Sequence, residues 1–206
     1  MSYEPLPDGE LAAVVTYLEM REPPAGPVPA STLSLQHLDL PRPERYRELF
    51  RLVGAPWLWF SRLIMDDPAL VAIIQDPNVE LFAVVGGSGA DAGMLELDFR
   101  EPGQCELAFI GLIPELSGKG HGKWLLAEAV RRAWRDGVTR VHVHTCSLDH
   151  PAALAAYRRA GFIPYKRALE RFPDPRLQGF LPKNCAPQIP LLGTDASGSA
   201  RPASCT

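Results

Sequence analysis

A glycine-rich segment that follows an apolar strand and opens a helix constrains this sequence more than any other feature. The strand is predicted over residues 105–113 and an amphipathic helix over residues 123–135, with glycines alternating between them. The first turn of a helix leaves backbone N–H groups without partners and carries a partial positive charge. Because glycine has no Cβ, a ligand can approach those amides closely. Together with Lys119 and Lys123, the segment therefore predicts a binding site for phosphate groups.

Two common phosphate-binding patterns are excluded by the residues at their required positions. The P-loop pattern needs Ser or Thr after Gly-Lys, but Trp124 follows Gly122 and Lys123, and Ser117 stands where that pattern begins with glycine. The dinucleotide pattern Gly-x-Gly-x-x-Gly fails in either register, because its last glycine would fall on Lys123 or Leu125. The sequence therefore disfavours ATP and NAD as ligands of this loop.

The order of the predicted elements indicates the fold class. Strands are predicted over residues 11–20, 31–38, 79–85, 94–99, 105–113, 141–145 and 162–169, and helices over residues 43–53, 67–75, 123–135 and 151–160. Three of these strands follow one another at hairpin spacing, and two strand–helix–strand crossovers come after them. We therefore predict an α/β (α+β) fold, with a mixed, mostly antiparallel central sheet flanked by helices.

The ends of the chain differ in composition from its middle. Residues 1–10 are polar and interrupted by proline, and we expect them to be flexible. Residues 173–206 are rich in Pro, Ser and Gly, which predicts a C-terminal tail that is partly disordered. One domain is therefore predicted over residues 11–172.

Composition and charge exclude several classes of partner. With 21 Lys and Arg against 24 Asp and Glu, the net charge is −3, so no overall positive charge attracts nucleic acid or anionic membranes. No apolar run approaches the roughly 18 residues that a membrane-spanning helix needs, and the N-terminus lacks the pattern of a signal peptide. The 4 cysteines have no Cys-x-x-Cys spacing. We expect a cytoplasmic protein with no metal site, and we interpret His142 and His144 as packing or surface residues of one strand.

Two segments, taken in order, resemble the signatures of the GCN5-related N-acetyltransferase (GNAT) family. The first signature is Gln/Arg-x-x-Gly-x-Gly/Ala, in which Gly120 and Gly122 occupy the glycine positions and Ser117 replaces Gln or Arg. The second is Asn-x-x-Ala-x-x-x-Tyr-x-x-x-Gly-Phe, in which His150 replaces Asn. Its matching residues are Ala153, Tyr157, Gly161 and Phe162.

The resemblance implies the acyl-CoA N-acyltransferase fold, whose central sheet is splayed in the middle. Acetyl-CoA would be the co-substrate, with its pyrophosphate in the glycine-rich loop and its pantetheine arm paired with the strand that ends at Ile113. The contacts implied for it are Leu112, Ile113, Ser117, Gly118, Lys119, Gly120, His121, Gly122, Lys123, His150 and Ala153.

The activity that the resemblance implies is direct transfer of an acetyl group to a primary amine of a small molecule or peptide. Tyr157 matches the family tyrosine that protonates the departing thiolate, although a tyrosine there could also be a core residue. Glu106 is the candidate base, and its alternative role is a solvent-facing residue or a structural ion pair.

Two other readings stay open on the sequence alone. The domain could bind acyl-CoA without catalysis, or it could acylate a hydroxyl group. The acceptor side is predicted within residues 41–76, where Trp57, Trp59 and Phe60 either wall the acceptor pocket or pack in the core. The acceptor itself is not identified, and edge strands would allow a homodimer.

Overall fold

The computed structural model describes residues 3–193, which form one sheet with helices on both sides. The strands are β1 (Glu10–Met20), β2 (Ser34–His37), β3 (Val79–Val85), β4 (Asp91–Asp98), β5 (Gln104–Leu112), β6 (Arg140–Cys146) and β7 (Ile163–Pro173). The α-helices are α1 (Pro43–Gly54), α2 (Asp67–Ile74), α3 (His121–Ala133) and α4 (Ala153–Arg159). Within the described residues, no helix has the length and apolar composition of a membrane span.

The sheet has seven strands in the order β2-β3-β4-β5-β6-β1-β7. All neighbouring strands are antiparallel except β5 and β6, which are parallel. The predicted α/β class with a mixed, mostly antiparallel sheet is therefore confirmed. The position of β1 between β6 and β7 joins the first strand of the chain to the last.

The sheet opens between its two parallel strands. Pairing of β5 with β6 stops at Glu106 opposite His142, although β5 continues to Leu112 and β6 to Cys146. The register of β4 against β5 also shifts between Glu96 and Leu97, which marks a β-bulge next to this point. The predicted splay in the middle of the sheet is thus present.

Each face of the sheet carries its own hydrophobic core. On one face, α3 buries Leu125, Ala129 and Val130 against the middle of the sheet. On the opposite face, α1 buries residues at helical spacing, including Tyr46 and Phe50, against β3 and β4. The first core includes residues of β1 and β6 as well as of β3, β4 and β5, so it joins the strands on both sides of the opening, whereas the second lies mainly against β3 and β4.

The first part of the predicted C-terminal tail is folded onto the second of these cores. Asp174 and Arg176 are each 2% exposed and form an ion pair, with 2.7 Å between their closest atoms. Arg176 also donates to the carbonyl groups of Cys185, Ala186 and Ile189. Composition indicated a tail from residue 173 onward, but one buried arginine organises the chain there as far as Ile189. The rest of the tail, residues 194–206, lies outside the described residues.

The N-terminal segment meets this folded C-terminal segment. The Gly9 amide donates to the Leu192 carbonyl at 3.0 Å, and the Asp174 amide donates to the Gly9 carbonyl at 2.8 Å. Both ends of the described chain therefore contact each other beside the start of β1.

Replacing Arg176 with methionine tests the role of this arginine. Arg176→Met would leave the buried carboxylate of Asp174 without its partner, so we expect the free energy of unfolding to fall by about 3–5 kcal/mol. Arg167→Met, at an exposed position of β7, should change it by less than about 0.5 kcal/mol. Urea unfolding of the full chain measures both, and equal midpoints for the two variants would contradict the assignment.

Candidate active site

The opening between β5 and β6 continues into a cavity of about 1830 Å³. The glycine-rich loop before α3 lines one part of the cavity. Another part is lined by the segment of residues 57–62, which follows α1. Glu106, His144 and Tyr157 line the same cavity, so the structure brings the two predicted catalytic residues and the loop together.

The glycine-rich loop has a backbone conformation that favours glycine. Gly118 has a φ of 74°, and Gly120, the N-cap residue of α3, has a φ of 84°. A Cβ added to Gly118, Gly120 or Gly122 would meet no atom within 4 Å. The glycines therefore leave an open backbone surface that a side chain would otherwise fill.

Backbone amides on this surface lack partners within the chain. None of the amides of Gly118, Gly120, His121 and Gly122 donates to another group among residues 3–193. Lys123 also lines the cavity. Unpaired amides at a helix N-terminus beside a lysine suit a phosphate or diphosphate group.

The structure separates the predicted co-substrate contacts into two groups. Those that line the cavity are Leu112, Ser117, Gly118, Gly120, Gly122, Lys123, His150 and Ala153. Ile113, Lys119 and His121 do not line it. The Nδ1 atom of His121 instead lies 2.9 Å from the Ser31 hydroxyl oxygen.

The assignment of Ile113 as an amide donor to the ligand is corrected by the structure. Its amide donates to the Ala92 carbonyl at 3.0 Å, which lies on the β4 side of the strand. Because successive amides of a strand point to opposite sides, the amide of Leu112 faces the opening toward β6. Alternation therefore leaves Leu112, and not Ile113, available to an extended ligand in the gap.

Tyr157 lies on α4 and is 9% exposed. Its ring packs edge-on against Phe162, with ring centroids 5.9 Å apart, and its hydroxyl makes no hydrogen bond to a described residue. Burial raises the pKa of Tyr157, and the carboxylate of Asp149 adds to this effect. The phenol therefore stays protonated at neutral pH and can donate a hydrogen bond or a proton into the cavity.

Glu106 is paired with His144, a residue that the sequence analysis assigned to packing or to the sheet surface. The Nδ1 atom of His144 lies 3.1 Å from the Glu106 carboxylate, so an Nδ1–H there donates to it. This hydrogen bond lowers the pKa of Glu106 and raises the pKa of His144. The pair is the arrangement in which a carboxylate orients a histidine and stabilises its protonated form.

The pairing of Glu106 with His144 depends on the register of the parallel strands. Glu106 is opposite His142 in the last pair that the two strands make. His144 lies two residues further along β6, where the strands have already separated. The sequence contained one signal, the spacing of His142 and His144 on one face of a strand. That signal could not show which strand would lie beside them. Among the described residues, no group of three His, Cys, Asp or Glu side chains could hold a metal ion.

Aromatic side chains wall the opposite part of the cavity. Trp57, Trp59 and Phe60 are all partly buried and line it. The indole N–H of Trp59 donates to Asp149 at 3.1 Å, and the ring of Phe60 stacks on Phe172 with centroids 4.9 Å apart. Of the two roles that the sequence left open for this cluster, the structure shows that it walls the cavity, and Trp59 also packs against the core.

A buried polar cluster under the cavity was missed in the sequence analysis. Glu96 is 0% exposed, accepts a hydrogen bond from the Tyr46 hydroxyl, and forms an ion pair with Arg62 at 2.7 Å. Arg62 belongs to the same segment as the aromatic wall. The cluster therefore ties this segment to α1 and β4, and no local sequence pattern indicates a pairing between such distant residues.

Comparison with known proteins gives a family match. The model of the Acetyltransferase (GNAT) family matches residues 36–162. The crystal structure of a GCN5-related N-acetyltransferase from Sphaerobacter thermophilus has a TM-score of 0.59 at 21% identity, covering 78% of this chain and 51% of that chain. No curated protein gives a significant match.

Two other solved structures share the fold. A tandem GNAT protein from the clavulanic acid biosynthesis pathway has a TM-score of 0.51 at 19% identity, covering 79% of this chain and 53% of that chain. An aminoglycoside acetyltransferase from an uncultured soil metagenomic sample also has a TM-score of 0.51 at 19% identity, covering 63% of this chain and 88% of that chain. The chain spans about half the length of the Sphaerobacter and tandem proteins.

Removing the Glu106 carboxylate should change the titration of His144. In Glu106→Gln the hydrogen-bonded negative charge is lost, so we expect the pKa of His144 to fall. Glu128→Gln, which removes a carboxylate of α3 that pairs with Arg131 and with no histidine, is the matched control and should leave the His144 titration unchanged. Histidine ring NMR signals followed against pH measure both, and an unaltered His144 titration in Glu106→Gln would show that the pair does not form in solution.

Proposed function

The chain belongs to the GNAT acetyltransferase family, and from this premise we propose that it transfers an acetyl group from acetyl-CoA directly to a primary amine of a small molecule or peptide. One observation carries the proposal. A buried, protonated tyrosine and a carboxylate–histidine pair line the same cavity as the glycine-rich loop. A domain that only binds acyl-CoA would have no need of this acid and base together.

The residues of the loop fit acetyl-CoA as co-substrate. The unpaired amides of Gly118, Gly120 and Gly122, with Lys123, would hold its pyrophosphate. The Leu112 amide would bind the extended pantetheine arm in the gap left by β6. In this arrangement acetyl-CoA supplies the thioester whose acetyl group is transferred.

The acceptor amine must lose a proton before it attacks, because an alkyl amine with a pKa of roughly 10 is protonated at neutral pH. Glu106 was the expected base, but the hydrogen bond from His144 lowers the pKa of its carboxyl group and so weakens the carboxylate as a proton acceptor. We infer that the Nε2 atom of His144 takes the proton, while Glu106 orients the ring and stabilises the imidazolium.

The rest of the reaction then uses Tyr157. The neutral amine attacks the thioester carbonyl, forming a C–N bond and a tetrahedral oxyanion. When this intermediate collapses, the C–S bond breaks and the thiolate takes a proton from the Tyr157 hydroxyl. The nitrogen, which became positively charged when it attacked, loses its second proton to solvent, giving the amide and free CoA. His144 returns its proton to solvent, and Tyr157 is reprotonated from solvent.

The remaining expectations stay predictions. They are a cytoplasmic location, the absence of nucleic-acid and membrane partners, and a homodimer. The edge strands that could support a homodimer are β2 and β7.

Replacing Tyr157 with phenylalanine tests the acid. Tyr157→Phe removes the only atom that the proposed step uses, so we expect kcat to fall by about 100-fold or more with little change in the Kd for CoA. Tyr165→Phe, at an exposed site on β7, is the matched control and should keep its activity. Free CoA release with a panel of primary amines measures the rates, and an unchanged kcat in Tyr157→Phe would remove Tyr157 from the mechanism.

Adding a carboxylate to the loop tests the phosphate site. At Gly122 an aspartate suits the first turn of α3 and meets no neighbouring atom, so Gly122→Asp should fold normally. Its charge would oppose a pyrophosphate, and we expect CoA affinity to fall by about tenfold or more. Gly86→Asp, at an equally open position between β3 and β4, is the control. Calorimetric titration with CoA measures both, and equal affinities would place the diphosphate elsewhere.

A further inference from the structure

One face of the sheet presents side chains from three strands to the acceptor part of the cavity. Residues paired across a sheet point to the same face, and so do residues two apart in a strand. Glu106 is opposite His142, which shares its face with His144, and His144 is opposite Tyr17. Ala13 and Leu11 lie an even number of residues from Tyr17 in β1 and so share its face. Their partners in β7 are Glu170 and Phe172. Glu106, His144, Glu170 and Phe172 therefore lie on one face.

An apolar wall covers this face at the end of β7. Phe60 stacks on Phe172 at 4.9 Å, and Trp57 packs edge-on against His150 at 5.0 Å. These four residues line the cavity, and Trp57, Phe60 and Phe172 are each only partly buried. Part of the apolar surface of these rings is therefore not covered by the protein, and an aromatic ring or an aliphatic group of a ligand in the cavity could cover it.

The charges around this wall favour a cation. The cavity-lining arginines of this part are already paired, Arg62 with Glu96 at 2.7 Å and Arg100 with Asp98 at 2.5 Å. Glu106 has His144 as its ion-pair partner and lies beside His142, and Glu170 has no ion-pair partner among residues 3–193. An ammonium group would gain from these carboxylates, whereas a carboxylate or phosphate on the acceptor would be repelled by them.

We propose that the acceptor is a primary amine carried on an aromatic or similarly apolar body and bearing no negative charge. Its ammonium group would meet the Glu106–His144 pair, and its body would lie against Phe60, Phe172 and Trp57. This inference rests on the proposed function, since it names the substrate class of that same site.

Three small probes separate the two features of the proposed acceptor. They are 2-phenylethylamine, which has both the ring and the amine, ethylamine, which lacks the ring, and 3-phenylpropionate, which replaces the amine by a carboxylate. Calorimetric titration of the full chain with CoA present should show 2-phenylethylamine binding about tenfold or more tightly than either of the others. Equal binding of ethylamine or of 3-phenylpropionate, or no binding of 2-phenylethylamine, would overturn the proposal.

A pair of variants on β7 tests the wall itself. Phe172→Ala removes one side of the wall and should reduce the preference for 2-phenylethylamine over ethylamine by about tenfold, with CoA affinity unchanged. Leu169→Ala, on the opposite face of the same strand and 64% exposed, should keep the preference. Equal preferences in the two variants would remove the wall from acceptor recognition. If Phe172→Ala does not fold, the comparison of the probes with the unaltered protein decides the question.

Acetyl transfer is measured separately from this binding, as CoA release with both amines. Binding of 2-phenylethylamine without CoA release would overturn the proposed reaction and leave the ligand class supported. Acetylation of both amines with equal kcat/KM would support the reaction and overturn the ligand class.

Discussion

The separation of β5 from β6 is the constraint on which the rest of this structure depends. Two parallel strands pair for a short stretch and then part, so the backbone of β5 beyond Glu106 loses its neighbour on one side. Backbone N–H and C=O groups removed from a sheet partner need water or a ligand in its place. An extended ligand with amide groups of its own can supply that partner, which is the physical basis for proposing the gap as a binding site.

Separate cores on the two faces keep the gap open. The core that includes α3 joins the halves of the sheet on one side, while α1, α2 and the C-terminal segment pack on the other. The buried Glu96 and its partners Arg62 and Tyr46 add a directional link, because Glu96 and Tyr46 are fully buried and would lose free energy without their hydrogen bonds. The segment of residues 57–62 is thus held in place by the ion pair of Arg62 with Glu96 and by the stacking of Phe60 on Phe172.

The chemistry of the site follows from opposite effects on its titratable groups. Burial raises the pKa of Tyr157 and keeps it as an acid, whereas the contact between Glu106 and His144 lowers the pKa of the carboxyl group and raises that of the imidazole. Groups whose pKa values are moved apart in this way can serve as acid and base at the same pH. The glycine-rich loop takes no part in this acid–base chemistry, because it offers backbone amides oriented by the helix and the positive charge of Lys123.

The sequence by itself determined the local elements and the two segments that carry the resemblance. Glycines that alternate before a helix, and apolar residues at helical or alternating spacing, are properties of short stretches, so the loop before α3, the mixed sheet and the position of Tyr157 could all be predicted. What only the tertiary structure decided were contacts between distant residues. These include His144 beside Glu106, Arg62 on Glu96, Phe60 on Phe172, and Arg176 organising a segment whose composition suggested a tail. Each depends on strand register or on burial, and neither is encoded in the spacing of neighbouring residues.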